Sequence, residues 1–417
     1  MFDLDRFEEI WVTITRNKTR SLLTGLGVFW GIFMLIVMMG FGTGLERGVN
    51  EGVDGIATNA CFVWSNRTGE PYRGFQRGRF WNMQNRDVEI LRRSIPEIEV
   101  LSPMLFGGSS ENNVMWGDTH GTFNVRGLHA TYQYIENPFL TKGRFINEID
   151  VMQRRKVSVI GTNVAEELFP EGVNPIGQHI RVNGIYYQVV GVSQGVSNMN
   201  MNGRTQDVIS IPFSTMQQVG NHGASIHALA ATARSGYRVS LIEERMREIL
   251  KANNNISPTD RQAVFSINLE QQFAMFNNLF LGIAILIWIV GSGTLIAGIV
   301  GVSNIMLVTI KERTKEIGIR RALGAKPRQI ISQIMAESLV LTSLAGMLGL
   351  CFGVLVLYLA ETQWLADIDS MFFATPAVSF NTAVASTVIL IICGLIAGII
   401  PTKRALSIKA IDAIREE

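Results

Sequence analysis

Gly191-Val192-Ser193-Gln194-Gly195 spells G-x-S-x-G, the pattern that seats a nucleophilic serine on a sharp strand-to-helix turn. Residues 196–203, Val-Ser-Asn-Met-Asn-Met-Asn-Gly, read as a loop and not as the helix such an elbow needs. Hydrolase chemistry therefore has little support. Nucleotide chemistry has none, because G-x-x-x-x-G-K-[ST] is absent and nowhere does Lys follow Gly. The histidines His120, His129, His179, His222 and His227 fit neither H-E-x-x-H nor a Cys/His ligand spacing, so no metal site is expected. Cys61 is the one cysteine of the polar region, Cys351 and Cys393 lying in apolar blocks, which leaves no disulfide inside that region. No catalytic residue and no cofactor are expected in this chain.

What remains is the placement of charge. Of 417 residues 47% are hydrophobic and 17% charged, against about 25% charged in soluble domains. The deficit falls in four uncharged blocks, 21–45, 271–310, 338–360 and 370–402. Each is long enough to cross a bilayer core of about 30 Å, which takes about 20 helical residues. The first block is longer than a signal peptide's apolar run and ends in Gly40-Phe41-Gly42-Thr43-Gly44, so it reads as a retained anchor. Bases concentrate before it (Arg16, Lys18, Arg20), in 311–328 and in the tail (Lys403, Arg404, Lys409, Arg415), while the link 361–369 has none. The positive-inside rule places both termini and 311–328 in the cytoplasm, hence the polar region outside. The net charge of +2 and the lack of a basic stripe with interleaved aromatics give no reason to expect nucleic acid.

The elements that position these charges follow. The second block is too long for one crossing: forty helical residues extend about 60 Å. It reads as a helix rising out of the membrane as a stalk, the alternative being a short loop before an ordinary span. The region between Glu46 and Glu270, about 225 residues, can bury its own core. Strands are expected at 61–64, 156–161, 178–182, 186–192, 226–233 and 263–269, with helices at 85–94 and 239–251. Strand and helix at both ends around a β-rich middle suggest a split α+β domain. Small residues at four-residue spacing (Gly27 and Gly31; Gly293, Ala297 and Gly301; Gly349 and Gly353; Gly394 and Gly398) suit close helix contact within the chain or across a dimer. Glu337, near the inner leaflet, reads as a residue that snorkels to the interface.

One stretch is more specific. A span runs without a break into a charged helix that stops at Gly324 and restarts after Pro327. Glu316 and Arg320, one turn apart, support that helix. The run Glu312-Arg313-Thr314-Lys315-Glu316-Ile317-Gly318-Ile319-Arg320-Arg321-Ala322-Leu323-Gly324-Ala325, after Asn304-Ile305-Met306-Leu307-Val308, closely resembles the hallmark of MacB-type permeases, the FtsX-like (type VII) branch of ABC transporters. The entry to the first span (17–27), the stretches 164–169, 174–177 and 189–192, and the tail (401–406, 411–415) also look like that family.

The resemblance implies an α-helical membrane protein with four transmembrane helices and a large α+β extracytoplasmic domain. It implies a cytoplasmic amphipathic segment (1–20), spans at 21–45, 330–360 and 378–402, and stalk plus second span at 273–310. A porter-like lobe (46–128 and 226–272) is split around an inserted β-rich lobe (129–225), and the tail is 403–417. The coupling helix, 311–327, touches the ATPase through Lys311, Glu312, Arg313, Lys315, Glu316, Ile317, Arg320, Leu323, Gly324 and Ala325. Implied partners are a permease dimer, homo- or heteromeric, a separate ABC ATPase dimer, membrane lipid of a bacterial inner membrane and, in a two-membrane bacterium, a periplasmic adaptor and outer-membrane channel. The best-known family members carry their ATPase ahead of the first span, whereas this chain starts at an amphipathic segment, so a separate ATPase is expected. Efflux of peptides, antibiotics or other small amphiphiles is the expected role, the alternatives being FtsX-like control of a cell-wall hydrolase and lipoprotein release. Charge reversal at Arg313 and at Glu316 is expected to lower ATPase binding or stimulation. Unchanged co-purification and unchanged stimulated hydrolysis would count against it.

Overall fold

The computed structural model describes residues 18–53, 55–107, 112–195, 203–364 and 380–407. The expected amphipathic start (4–14), residues 365–369 of the acidic link, 196–202 of the polar loop and the tail from 408 lie outside them. The chain divides into a unit made of residues 1–49 and 279–417 and a unit of residues 50–278.

The first helix, α1, is Lys18–Val53. In the second unit follow β1 (Ala60–Ser65), β2 (Met83–Gln84), α2 (Asn85–Ser94) and β3 (Ile98–Phe106). Then come β4 (Asn113–Trp116), β5 (Thr119–Thr122), β6 (Asn124–Leu128), β7 (Phe139–Gly143) and α3 (Glu148–Met152). Next are β8 (Val157–Gly161), α4 (Thr162–Leu168), β9 (His179–Val182), β10 (Ile185–Gln194), β11 (Val208–Pro212) and α5 (Phe213–Val219). The unit closes with β12 (Ser225–Ile226), β13 (Ala228–Ala233), α6 (Val239–Asn253) and β14 (Val264–Asn268). The remaining helices are α7 (Leu269–Glu312), α8 (Thr314–Ala322), α9 (Pro327–Leu359) and α10 (Phe380–Leu406).

Among the described residues, four helical stretches are long and apolar enough to cross a membrane: Gly25–Asn50, Leu269–Glu312, Pro327–Gln363 and Val384–Leu406. Large apolar side chains such as Trp30, Leu281, Ile289, Met347, Leu348 and Ile400 stand exposed on them. In water such surface would be a liability; in lipid it is the ordinary exterior. Hydroxyls return to their own helices, as Thr342 Oγ1 does to the Ser338 carbonyl (2.8 Å) and Thr402 Oγ1 to Gly398 (2.6 Å). The chain is a multi-pass membrane protein. α7 is one unbroken helix of 44 residues, about 66 Å at 1.5 Å per residue. The loop before an ordinary span does not occur.

The domain is built on a continuous hydrogen-bonded sheet, ordered β14-β1-β13-β3-β6-β11-β8-β10-β9-β4-β5 with β7 paired to β10. The end strands β14-β1-β13-β3 are antiparallel and carry α2 and α6, a split βαβ plan. Alternation divides β1 between two cores. Cys61 and Val63 face Leu91, Ile242 and Met246 of the helices, whereas Ala60 and Phe62 face Met104, Leu128 and Tyr132. The alanine-rich β13 is buried throughout. The insertion sits between β3 and β13. Its ladders include β4 to β6, because Val114 pairs with Val182 and Val208 with Asn124. β6 also pairs with β3, Met104 opposite Leu128, so the sheet runs without a break across the expected lobe boundary at 128/129. The polar, partly exposed β5 (Thr-His-Gly-Thr) has no apolar alternation to announce a strand.

Arg126 on β6, 2% exposed, lies in the middle of this domain. Its Nε donates to Ser210 Oγ (3.1 Å), Nη1 to Glu136 Oε2 (3.2 Å) and Nη2 to Thr205 Oγ1 (3.3 Å). The Thr205 hydroxyl donates in turn to Glu136 Oε1. Removing one partner of a buried, hydrogen-bonded pair strands the other charge, at about 3–5 kcal/mol. Arg126→Met or Glu136→Leu alone is expected to lower unfolding stability by about that much, and the double variant by less than either. Chemical denaturation of the purified chain measures this, and a double variant at the sum of the singles would refute the pairing.

Candidate functional site

The helix α7 ends because Arg313 leaves helical geometry, with φ −97° and ψ 13°. One residue later α8 starts, and it stops where Gly324 takes φ +95°, the left-handed conformation in which the Ala325 amide reaches back to the Arg320 carbonyl (3.0 Å). Pro327 then opens α9, with the Gln329 side chain accepting from the Lys326 amide (2.9 Å).

This corner places five polar side chains together. The Arg313 guanidinium grips both oxygens of Glu316, Nε to Oε2 at 2.9 Å and Nη2 to Oε1 at 3.0 Å. Its Nη1 donates to Glu337 Oε1 at 2.9 Å. Arg320 bridges the other way, through Nη2 to Glu316 Oε1 (2.8 Å) and Nη1 to Gln333 Oε1 (2.9 Å). Arg321 Nη1 reaches the Leu406 carbonyl at the end of α10 (3.0 Å). The short helix α8 is thus tied to α9 and α10 by charge-assisted bonds. Hydrogen bonds to Glu316 foremost, against burial, and the carboxylate of Glu337 hold the Arg313 guanidinium charged, above the usual arginine range.

The segment has two faces. Inward lie Arg313, Glu316 and Arg320, half-buried, with Ile317 packed on the helix core and Gly318 buried. Outward lie Ile319 (51% exposed) and Leu323 (83%), one turn apart, beside exposed Lys315 and Lys326. Lys311 and Glu312 are exposed on the last turn of α7, and Ala325 is half-buried in the turn. Two partners in the network, Gln333 and Glu337, had not been singled out for it. Glu337 does not snorkel: it is buried and takes its counter-charge from Arg313. The legible signal was a lone carboxylate set between apolar stretches, one helix beyond an arginine.

The small residues divide as well. A Cβ on Gly27 would come within 3.2 Å of the Gly298 backbone, one on Gly31 within 3.3 Å of Leu295, and one on Gly353 within 2.9 Å of Ile36; Gly349 lies against the Phe29 carbonyl. Gly293 and Gly301 have nothing within 4 Å and Ala297 is exposed, so within the chain the contact on α7 is made by Gly298 instead. Ser193 is buried on β10 and its hydroxyl points to the Ile160 carbonyl (3.5 Å), which is no nucleophile elbow. Among the described residues no group of three His, Cys, Asp or Glu side chains could hold a metal.

A family model described as the MacB-like periplasmic core domain matches residues 21–249, more than half of the chain. A second, described as the FtsX-like permease C-terminal, matches residues 288–410 and contains the Arg313 network. The pyoverdine export ATP-binding/permease protein PvdT of Pseudomonas entomophila is 27% identical over 99% of this chain and 60% of its own length. The macrolide export ATP-binding/permease protein MacB of Bdellovibrio bacteriovorus is 25% identical over 99% of this chain and 62% of its own. The chain thus spans about three-fifths of the length of these curated relatives. The periplasmic region of MacB from Actinobacillus actinomycetemcomitans is similar with a TM-score of 0.43 and 21% identity, over 55% of this chain and 98% of that one.

If Glu337 fastens α8, Glu337→Leu is expected to speed amide exchange across 314–325 by about tenfold, equivalent to about 1.4 kcal/mol, and to leave 239–253 unchanged. Hydrogen–deuterium exchange on the full chain decides it, and equal rates at 314–325 would remove the fastening.

Proposed function

This chain belongs to the family of the MacB-like periplasmic core domain, and from that premise we propose that it is the permease of an ABC-type exporter driven by an ATPase outside these 417 residues. The observation that carries the reading is the two-faced α8, whose inner face is bonded to α9 and α10 and whose outer face offers Ile319 and Leu323 among lysines. A partner that seats the outer face can move the inner one, and a charge-assisted network transmits the movement with little slack. The basic residues of 311–328 support a cytoplasmic α8 and an extracytoplasmic 50–278 domain. The assembly is a permease dimer with two ATPase subunits in a bacterial inner membrane, joined in a two-membrane bacterium by an adaptor and an outer-membrane channel. The cargo class is small amphiphiles, peptides or antibiotics, handled outside the membrane. The names of the relatives, macrolide and pyoverdine exporters, support export over signalling.

The structure refines the choice of test. Arg313 and Glu316 hold each other, so reversing either breaks the inner network along with any docking. Ile319 and Leu323 separate the two. Ile319→Asp/Leu323→Asp is expected to cut permease-stimulated ATP hydrolysis at least about tenfold, the loss of about 1.4 kcal/mol of coupling, with no change in the permease's thermal unfolding. Full stimulation by that variant in reconstituted membranes would sink the coupling role.

A further inference from the structure

Residues 66–82 leave β1 and return to β2 as a hairpin rich in arginine and aromatic rings. No basic stripe with interleaved aromatics was expected in this chain; residues 67–81, with Arg67, Arg73, Arg77 and Arg79 among Tyr72, Phe75, Phe80 and Trp81, are one, concealed by the near-neutral average. At its tip Tyr72 and Phe75 exchange backbone hydrogen bonds (3.1 and 2.9 Å) around Arg73 and Gly74, both at positive φ, the turn that closes a two-residue hairpin.

The hairpin is fastened to the domain. The Asp260 carboxylate accepts from the amides of Gly69 (2.8 Å) and Glu70 (3.2 Å), Arg79 Nη2 donates to the Asn254 carbonyl (2.7 Å) and Trp81 Nε1 to the Ala263 carbonyl (3.0 Å). Three of the four guanidiniums are placed as well: Arg67 lies 3.9 Å over the Phe80 ring, Arg79 4.0 Å over Phe75, and Arg73 Nη1 donates to Asn255 Oδ1 (3.1 Å). Among the described residues none of the four arginines is ion-paired, and the carboxylate of Glu70, the acid of this stretch, is taken by Thr259 (2.6 Å). Phe80 is 72% exposed.

We propose that this hairpin is a docking platform for the acidic face of a partner protein. Arg67, held flat on Phe80, and the exposed Arg73 and Arg77 offer guanidinium N–H groups that suit carboxylates, which such groups grip in pairs; Arg79 is bonded to the domain and serves to hold the hairpin. Ordering them in advance removes the entropy that binding would cost. Arginine and aromatic residues are enriched at protein interfaces and lysine depleted, and the stretch has no lysine. An anionic bilayer needs only charge, for which lysine serves equally. A nucleic-acid strand needs open ring faces for its bases, and here guanidiniums cover a face of Phe75 and of Phe80. The platform belongs to the 50–278 domain and does not rest on the exporter reading, so the two fail separately.

The test puts the photocrosslinker p-benzoylphenylalanine at position 80 of the full chain in intact cells and maps the products by mass spectrometry. The expected result is one protein, crosslinked at a segment rich in Asp and Glu, with a yield that falls at least tenfold in Arg67→Lys/Arg73→Lys/Arg77→Lys, which keeps the charge. Cys61 checks folding: it is buried, and burial with the Glu243 carboxylate pushes its thiol up to about 12, so it should resist maleimide in every variant. Adducts on lipid or nucleic acid, products scattered over many proteins, no product at all, or a yield that survives the lysine variant in a folded chain would each overturn the proposal.

Discussion

A guanidinium half withdrawn from water stays where it is only if its donors are taken up, and Arg313 meets that demand with two carboxylates from two helices. Much of the surrounding geometry follows from this. Glu316 must sit one turn on, so a helix has to begin again directly after Arg313. Glu337 lies ten residues past Pro327, so the chain has to reverse within four residues, which the left-handed Gly324 and the preset φ of Pro327 allow. A charge on α9 that would be costly in lipid becomes acceptable because its partner arrives from the neighbouring corner. Arg320 then closes the ring through Glu316 and Gln333.

The two units solve the same problem in different solvents. In the membrane unit apolar side chains face outward, and cohesion comes from close backbone approach, as where Gly27 meets Gly298. In the domain apolar side chains face inward on both sides of β1 and β13, and the buried polar side chains, Arg126 and Glu136 among them, are exceptions to that rule. Among the described residues each unit has a buried glutamate paired with an arginine, Glu136 with Arg126 and Glu337 with Arg313. Apolar contacts between smooth surfaces can slide; a paired charge has one good register.

Much of this was legible in the residues. The four spans show because lipid forbids charge for some twenty residues at a time, a signal that needs no tertiary knowledge. The strand at 61–64 and the helix at 85–94 show because a short apolar run marks the first and Pro96, just past its end, the second. Which face of α7 carries the contact does not show: Gly293, Ala297 and Gly301 have the spacing, yet Gly298 touches α1, since spacing fixes a face only relative to itself. The ties of β4 to β9 and of β6 to β11 are hidden because these strands are short and their partners lie more than fifty residues away. Glu337 was visible as a charge and misread in purpose, because its partner lies across a turn whose geometry no local pattern encodes.

In the exporter reading a pull on α8 travels along α7, and what it can accomplish depends on how the far end of α7 is held. That end is held firmly. Leu269 is buried in the domain core, and the Glu270 carboxylate accepts from the Val239 amide at 2.7 Å, capping α6 where its own N-cap residue, Arg238, makes no side-chain bond. Asn268 adds a bond to Glu243 on the same helix (2.9 Å). The exit of α1 is held too, Ala57 donating to the Ile135 carbonyl (2.8 Å) and Gly55 accepting from Asn137 (2.7 Å), next to the Glu136 that pairs with Arg126. Within the domain the two attachments differ: residues 268–270 are bonded to α6 at the βαβ end of the sheet, residues 55 and 57 to 135–137.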